Sequence, residues 1–340
     1  MPDLDRTKIQ EAGFQRPHVV ILGAGASLQA FPDGDANCRK MPLMRYIVDV
    51  VGLGPILDDA GIHENRDDFE KLYSHLVSSG NHDDLVHQIE QMVFNYFAEM
   101  KLPEEPTLYD HLVLSLRSKD VIATFNWDPF LVQAMVRNGD RKHLPVNLFL
   151  HGNTAIGHCT RHKPIAVGLR DRHCHRCRKP FQDSRLLYPV EQKNYNSDPF
   201  IAKNWEVLQL VLKDAFLVTF FGYSAPDSDV EAKALMKIAW GEPYTRRMEQ
   251  IEIINIADES QLYETWRPFI HEGHFQVTKS FFDSIIGRSP RRSCEAMWNS
   301  FADIEYIDMN AIPKNAGWDE VLRFYDELIE DERNAATEPD

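Results

Sequence analysis

Long apolar runs are missing from this sequence. None approaches the roughly 20 residues that a membrane-spanning helix needs, which excludes a helical membrane protein. The opening Met1-Pro2-Asp3-Leu4-Asp5-Arg6 is polar and lacks the apolar centre of a secretion signal. A cytoplasmic protein is the expectation. Cysteine is scarce, with five in 340 residues. An odd count, with three of the five close together, speaks against a disulfide framework and for a reduced chain with a metal site. Excess positive charge is lacking too. The chain holds 37 Lys and Arg against 52 Asp and Glu, a net charge of -15, which argues against a protein that coats nucleic acid. Internal repeats and low-complexity tracts are absent.

What is present suffices for a large core. At 43 % hydrophobic over 340 residues, one α/β domain with an insertion fits, as do two smaller domains. His18-Val19-Val20-Ile21-Leu22 is a continuous apolar run, the signature of a parallel strand covered on both faces. Further strand signals lie at 121–124, 146–150, 216–221 and 251–256. Helical spacing separates most of them, as over 199–213 and 227–240. This alternation predicts a Rossmann-like, doubly wound, mostly parallel sheet. Helical periodicity without a strand signal fills 54–119, read as a helical insertion over the mouth of the main domain. The main domain is expected to be discontinuous, 17–53 with 120–330. A small module at 153–185 interrupts it, and the acidic end, 331–340, is expected to be frayed.

Three short motifs each follow a strand signal. Gly23-Ala24-Gly25-Ala26-Ser27 permits a tight turn and close approach of the backbone to a pyrophosphate. The third glycine of the dinucleotide fingerprint is missing, and a tight turn without ligand fits as well. Thr124-Phe125-Asn126-Trp127-Asp128 places an amide and a carboxylate at a strand's carboxyl end, where ligands bind in open α/β sheets. Asp128 before Pro129 also fits a helix cap. Leu150-His151-Gly152 sets an imidazole at a third strand end, suited to general-base work near neutrality. An ordinary buried histidine is the alternative. Later, Gly222-Tyr223-Ser224 and Ile254-Asn255 end two more strands.

The metal signal is the strongest. Cys159-x-x-His162 followed by Cys174-x-x-Cys177 is a four-ligand zinc ribbon pattern, closed and therefore structural. His158, His173 and His175 are alternative fourth ligands. Basic residues crowd the same segment: Arg161, Lys163, Arg170, Arg172, Arg176, Arg178 and Lys179. They form either a solvated surface, the favoured reading, or a contact for nucleic acid or an acidic partner.

The ordered set of motifs resembles the sirtuin (SIR2) superfamily, and in particular its prokaryotic SIR2-like branch, over residues 18–280. The resemblance implies that NAD+ is the substrate and Zn2+ structural. It implies that Gly23, Ala24, Gly25, Ser27 and Asp33 line the dinucleotide with Thr124, Asn126 and Asp128. Gly222, Ser224 and Asn255 would meet phosphate and the adenosine ribose. Asn126 and His151 would be catalytic, His151 as base on a ribose hydroxyl. Deacylases of this family carry Gly-Ile-Pro-Asp-Phe-Arg after the first loop. Here the chain reads Ala30-Phe31-Pro32-Asp33-Gly34-Asp35, and the peptide-binding strand motif after the zinc module is absent. These departures, with the long helical stretch, are similar to NAD-hydrolysing anti-phage defence effectors. The expected activity is NAD+ glycohydrolysis, gated by homo-oligomerisation or by a partner ATPase or nuclease. An NAD-dependent deacylase and an inactive NAD or ADP-ribose sensor are the alternatives.

Overall fold

The computed structural model describes residues 15–141, 143–189, 195–225, 229–246, 248–270, 273–300 and 310–335. Six parallel strands form the main sheet: β1 (His18–Leu22), β2 (Val121–Thr124), β3 (Val146–Phe149), β7 (Leu217–Phe221), β8 (Gln250–Ile254) and β9 (Phe275–Thr278). Their order is β3-β2-β1-β7-β8-β9. This is the doubly wound order, with its switch point between β1 and β7. The apolar run of β1 earns the central place: all five residues are buried, with Val19 beside Val121 on one flank and Val218 on the other. β9 is a sixth strand beyond the expected set. Its Phe-Gln-Val-Thr is half-buried at the sheet edge and gives little alternation to read.

The stretch between β1 and β2 is helical, as the periodicity requires. α1 (Ala24–Ala30) follows the glycine loop. After a 3-10 turn at Met44–Tyr46 come α2 (Ile47–Val51), α3 (Gly54–Asp59), α4 (Phe69–Ser79), α5 (Asp83–Ala98) and α6 (Leu108–Leu114). α6 differs from the rest. It starts with a reciprocal Thr107–Asp110 capping box, and all seven of its residues are buried. It therefore belongs to the central core, although its number falls within the stretch expected to be an insertion. α4 and α5 cover the loop after β2: Phe97 meets Trp127 edge-on at 5.7 Å, and Tyr188 packs on both Tyr73 and Trp127.

α7 (Phe130–Arg137) leads from β2 to β3. Between β3 and β7 lie the three short antiparallel strands β4 (Ile156–Cys159), β5 (Ala166–Leu169) and β6 (Gln182–Asp183), then α8 (Pro199–Asp214). α9 (Val230–Trp240) and α10 (Glu259–Trp266) connect the last strands. α11 (Ile285–Arg288) and α12 (Ser293–Trp298) follow, and α13 (Trp318–Ala335) is the last helix among the described residues. The frayed tail expected from 331 is corrected as far as Ala335: α13 is tied to the body by Arg291, which donates to both carboxylate oxygens of Glu332. Residues 336–340 lie outside the described residues. No helix among the described residues is long and apolar enough to cross a membrane.

Candidate functional site

Three strand ends converge at the switch point. Gly23 N–H donates to Phe221 O and Gly25 N–H to Gly222 O, each at 2.9 Å. The loops after β1 and β7 thus lock together. A Cβ on Gly23 would sit 2.5 Å from Tyr223 Cα, and one on Gly25 2.8 Å from Gly222 Cα. These glycines are required by loop-on-loop packing whether or not a phosphate binds. Ala26 N–H is spent on Gly23 O. Ala24 N–H is the amide at the head of α1 for which no acceptor is recorded among the described residues.

Below the loop lies a buried polar cluster. Asn126 donates from Nδ2 to Gly23 O and to Ser27 Oγ, both at 3.0 Å. Ser27 donates to Asp128 Oδ2 at 2.7 Å, and the Tyr109 hydroxyl lies 2.6 Å from Ser27 Oγ. Asn126 thereby fastens the end of β2 to the end of β1, and its Oδ1 carries no recorded donor among the described residues. Thr124 is part of the same turn, accepting from Asn126 N–H at 3.0 Å. Burial pushes the Asp128 carboxyl from its ordinary 3.8 up to about 6, against the donations from Ser27 and the Phe130 N–H. Asp128 Oδ1 also accepts from Phe130 N–H at 3.3 Å, but the cap position of α7 is Pro129, so Asp128 closes a turn just before the helix and is not its cap.

Raising a buried carboxyl from 3.8 to about 6 amounts to about 3 kcal/mol of preference for the protonated form. That preference is fully present below pH 4 and is lost as pH rises through 6. Asp128→Asn, which cannot ionise, is expected to lose less stability than wild type between pH 4.5 and 7.5. Urea midpoints across that range check it, and parallel pH profiles would refute the assignment.

His151 follows β3 and is buried. Its Nε2 lies 3.1 Å from the Tyr195 hydroxyl, the two rings stack, and Phe125 meets it edge-on at 4.7 Å. Helix α8 fixes this strand end from outside. Asn204 Oδ1 accepts from Phe149 N–H at 2.9 Å, and Trp205 Nε1 donates to Leu150 O at 3.1 Å. Gly152 has φ +81, and a Cβ there would meet Arg185 O at 2.0 Å. Glycine is therefore obligatory where the chain turns from His151 into the small sheet.

The small sheet brings Cys159, His162, Cys174 and Cys177 together, with all four donor atoms within 4.8 Å of one another. Cys159 and Cys177 sulfurs lie 3.8 Å apart, and all five cysteines of the chain are free thiols. His162 Nε2 is buried with no hydrogen-bond partner. Three thiols and an imidazole nitrogen without a proton partner are the donor set of a tetrahedral structural zinc. The other histidines are excluded as ligands by place. His158 stacks on Phe200 at 5.6 Å, and His173 and His175 are exposed.

Other expected site residues stand apart. Asp33 is exposed, and the carboxylate used in its loop is Asp35, which accepts from the N–H groups of Asn37, Arg39 and Lys101 at 2.8 Å each. Ser224 is exposed. Asn255 closes a local turn by accepting from Ala257 N–H at 3.0 Å. The structure brings none of these three into the Asn126 cluster. Gly222, with φ +62, does join it through its contact with Gly25. Sequence reasoning missed Tyr109, Tyr195 and Asn153. Asn153 donates to Asp128 O at 2.7 Å, and its place two residues after His151 was the one local signal. Nothing local marks the tyrosines.

A cavity of about 1400 Å³ lies to one side. The outer edge of β3, helix α8, one face of α9 and the module's Lys163–Val167 arm line it. It does not reach the glycine loop, and it touches the end of β3 at Phe149, with Tyr195 and Trp205 beside it.

No family model matches the chain, and no curated protein matches it. Solved structures do. The complex of a SIR2 homologue with NAD is 13 % identical, with TM-score 0.41, over 96 % of this chain and 95 % of that one. A triply substituted Sir2 homologue bound to 2'-O-acetyl ADP ribose is 12 % identical, with TM-score 0.43, over 87 % and 97 %. A structure described as showing the basis for the mechanism and regulation of Sir2 enzymes is 14 % identical, with TM-score 0.38, over 97 % and 100 %. Likenesses this low carry no argument about substrate or mechanism, and the doubly wound fold stands on strand order and register.

Proposed function

We propose that this chain is an NAD+ glycohydrolase of the SIR2-like type, with structural zinc, acting as a gated anti-phage defence effector. The observation that carries the reading is the convergence of the ends of β1, β2 and β3. It gathers Gly23, Asn126 and His151 at one edge of the sheet, with the Asn126 amide bonded to Gly23 O. The carboxyl ends of parallel strands at a switch point are where open α/β sheets hold dinucleotides. Asn126 Oδ1 would accept from a ribose hydroxyl, Ala24 N–H would meet a phosphate oxygen, and His151 would serve as base. In the reaction the glycosidic C–N bond breaks, its electron pair leaves with nicotinamide, and water supplies the new C–O bond and releases a proton. Gating by a homo-oligomer, or by a partner ATPase or nuclease, belongs to the same proposal.

A second reading is favoured by the cavity between the module's arm and α8. A groove of that kind suits an extended peptide, as an NAD-dependent deacylase needs. One experiment separates the two. NAD+ is incubated with the protein, with and without an acetyl-lysine peptide, and products are resolved chromatographically. Nicotinamide and ADP-ribose without peptide, reduced at least 100-fold in Asn126→Ala and His151→Ala, are expected on typical general-base contributions. Peptide-dependent acetyl-ADP-ribose would replace the first reading with the second. Binding of NAD+ without turnover would leave a sensor.

A further inference from the structure

The zinc module is charged opposite to the rest of the chain. Residues 153–185 hold eight Lys and Arg and two Asp, an excess of six positive charges, in a chain whose net charge is -15. The remainder therefore carries an excess of 21 negative charges. A zinc held by three thiolates takes back only one positive charge. The fold gathers the cations. Arg161 and Lys163 flank His162 in the first knuckle, Arg176 lies between Cys174 and Cys177, and Arg178 and Lys179 follow. The four ligand atoms lie within 4.8 Å of one another, so both knuckles close on one point. Arg176 Nη1 donates across them to Pro164 O at 3.0 Å. Arg172 joins at the base of the hairpin, its carbonyl accepting from Phe181 N–H at 3.2 Å. All six residues are exposed, and none makes an ion pair among the described residues. The one ion pair recorded inside the module joins Arg170 to Asp171.

An ordinary solvated surface intersperses both signs. Here residues 172–182 contain no acid, although the rest of the chain has acid in excess. The make-up of the patch also shows what it fits. Protein partners are held at a core where apolar and aromatic anchors collect and Lys is depleted. From Arg170 to Lys179 there is no aliphatic residue and no Phe, Tyr or Trp. Single strands are held by aromatic side chains that stack on bases. The one Phe, Tyr or Trp of the module is Phe181, which is half-buried and packs over Gly157 and Gly168. Dense, exposed Arg and Lys without such anchors is the surface that phosphate backbones meet.

We propose that the zinc module grips the phosphate backbone of a double-stranded nucleic acid without reading its sequence. The negative remainder of the chain repels the same polymer, so contact is confined to the two knuckles. A chain too acidic to coat nucleic acid thus holds it at one place. The inference goes beyond the reading of the glycine loop and is independent of it, because binding is measured without NAD+.

The test is fluorescence anisotropy of labelled duplexes of about 20 base pairs, DNA and RNA in parallel, titrated with the zinc-loaded full chain at several salt concentrations. The parallel titrations distinguish the two sources of the backbone. Engaging about four to six phosphates gives a slope of log K against log salt of about -4 to -5, and a loss of roughly a few hundred-fold or more between 50 and 200 mM salt. Arg172→Gln/Lys179→Gln removes two side chains that make no recorded hydrogen bond or ion pair among the described residues. It is expected to flatten the slope by about 2 and to weaken binding at 50 mM salt by about tenfold or more. Arg161→Gln/Lys163→Gln, on the facing knuckle, should do the same, so the result does not hang on one hairpin. Lys213→Gln/Arg323→Gln makes the same change in net charge on exposed helix positions outside the module, and should leave binding within about twofold. Zinc content and thermal melts equal to wild type separate a lost contact from a lost fold. No binding at 50 mM salt with about 100 µM protein would overturn the proposal. So would binding that both module variants leave intact. A single strand held more tightly than the duplex would replace the backbone grip with a stacking site. Polyglutamate of equal charge held as tightly as the duplex would make the partner an acidic protein, and would overturn it too.

Discussion

Stripping zinc with a strong chelator is expected to unfold residues 153–185 and to disable the site with them. The module's own core is Cys159, Ala166 and Cys174, with Cys177 and Phe181 half-buried against it. Three strands of four, four and two residues around so few apolar groups cannot offset the conformational entropy of ordering them. Zinc bound by such sets contributes on the order of 10–16 kcal/mol to folding, so metal and module stand or fall together. The loss would not stop there. Asn153 and Thr154 reach back to Asp128 O and Trp127 O, and Leu187 N–H donates to His151 O at 2.9 Å. Metal analysis should find one zinc per chain. Hydrogen exchange after chelation, or in Cys174→Ser, should rise first across 153–185. Protein that contains no zinc yet protects these amides would refute the site.

Gly222→Ala should be nearly as damaging, for a reason confined to one atom. Gly222 has φ +62, and its Cβ would lie 2.1 Å from Ala26 N and 2.3 Å from Gly25 C. The left-handed backbone alone costs a non-glycine residue about 1–2 kcal/mol. The collision adds to this, because both atoms are backbone in the loop that locks β1 to β7. A total above about 4 kcal/mol, in the range of the severest single substitutions, would consume much of the roughly 5–15 kcal/mol that holds a domain. Gly52→Ala is the control. Its φ of +80 and ψ of +41 are left-handed, and nothing lies within 4 Å of a new Cβ, so it carries the backbone cost without the clash. Thermal melts of the pair should differ widely. Equal, small losses would mean that the loops separate easily.

Much of this architecture could be read from pattern because the elements responsible are local. β1 announces itself by five buried residues in a row, and the Cys-x-x-His and Cys-x-x-Cys knuckles by their spacing. β9 stayed hidden because a four-residue edge strand, half-buried throughout, has neither a continuous run nor a clean alternation. α6 reads like the helices before it because periodicity reports that a residue faces something apolar, not which body it faces. Tyr109 and Tyr195 were illegible for a related reason. Each gains its meaning from a partner, Ser27 or His151, that only the folded chain brings near. Asp35 was equally illegible: the Pro-Asp pair marks Asp33, which faces solvent, whereas the carboxylate that organises the loop by accepting three backbone N–H groups is two residues on.

The central position of β1 has a consequence for synthesis. Val19 emerges before both residues that flank it in the sheet, Val121 and Val218. At about 5–20 residues per second, one flank stays bare for several seconds and the other for tens of seconds. Throughout that interval His18–Leu22 is an apolar segment with both hydrogen-bonding edges open, the condition in which strands find the wrong partner. Yield of soluble protein should therefore depend on what shelters the nascent chain, more than on the stability of the finished fold.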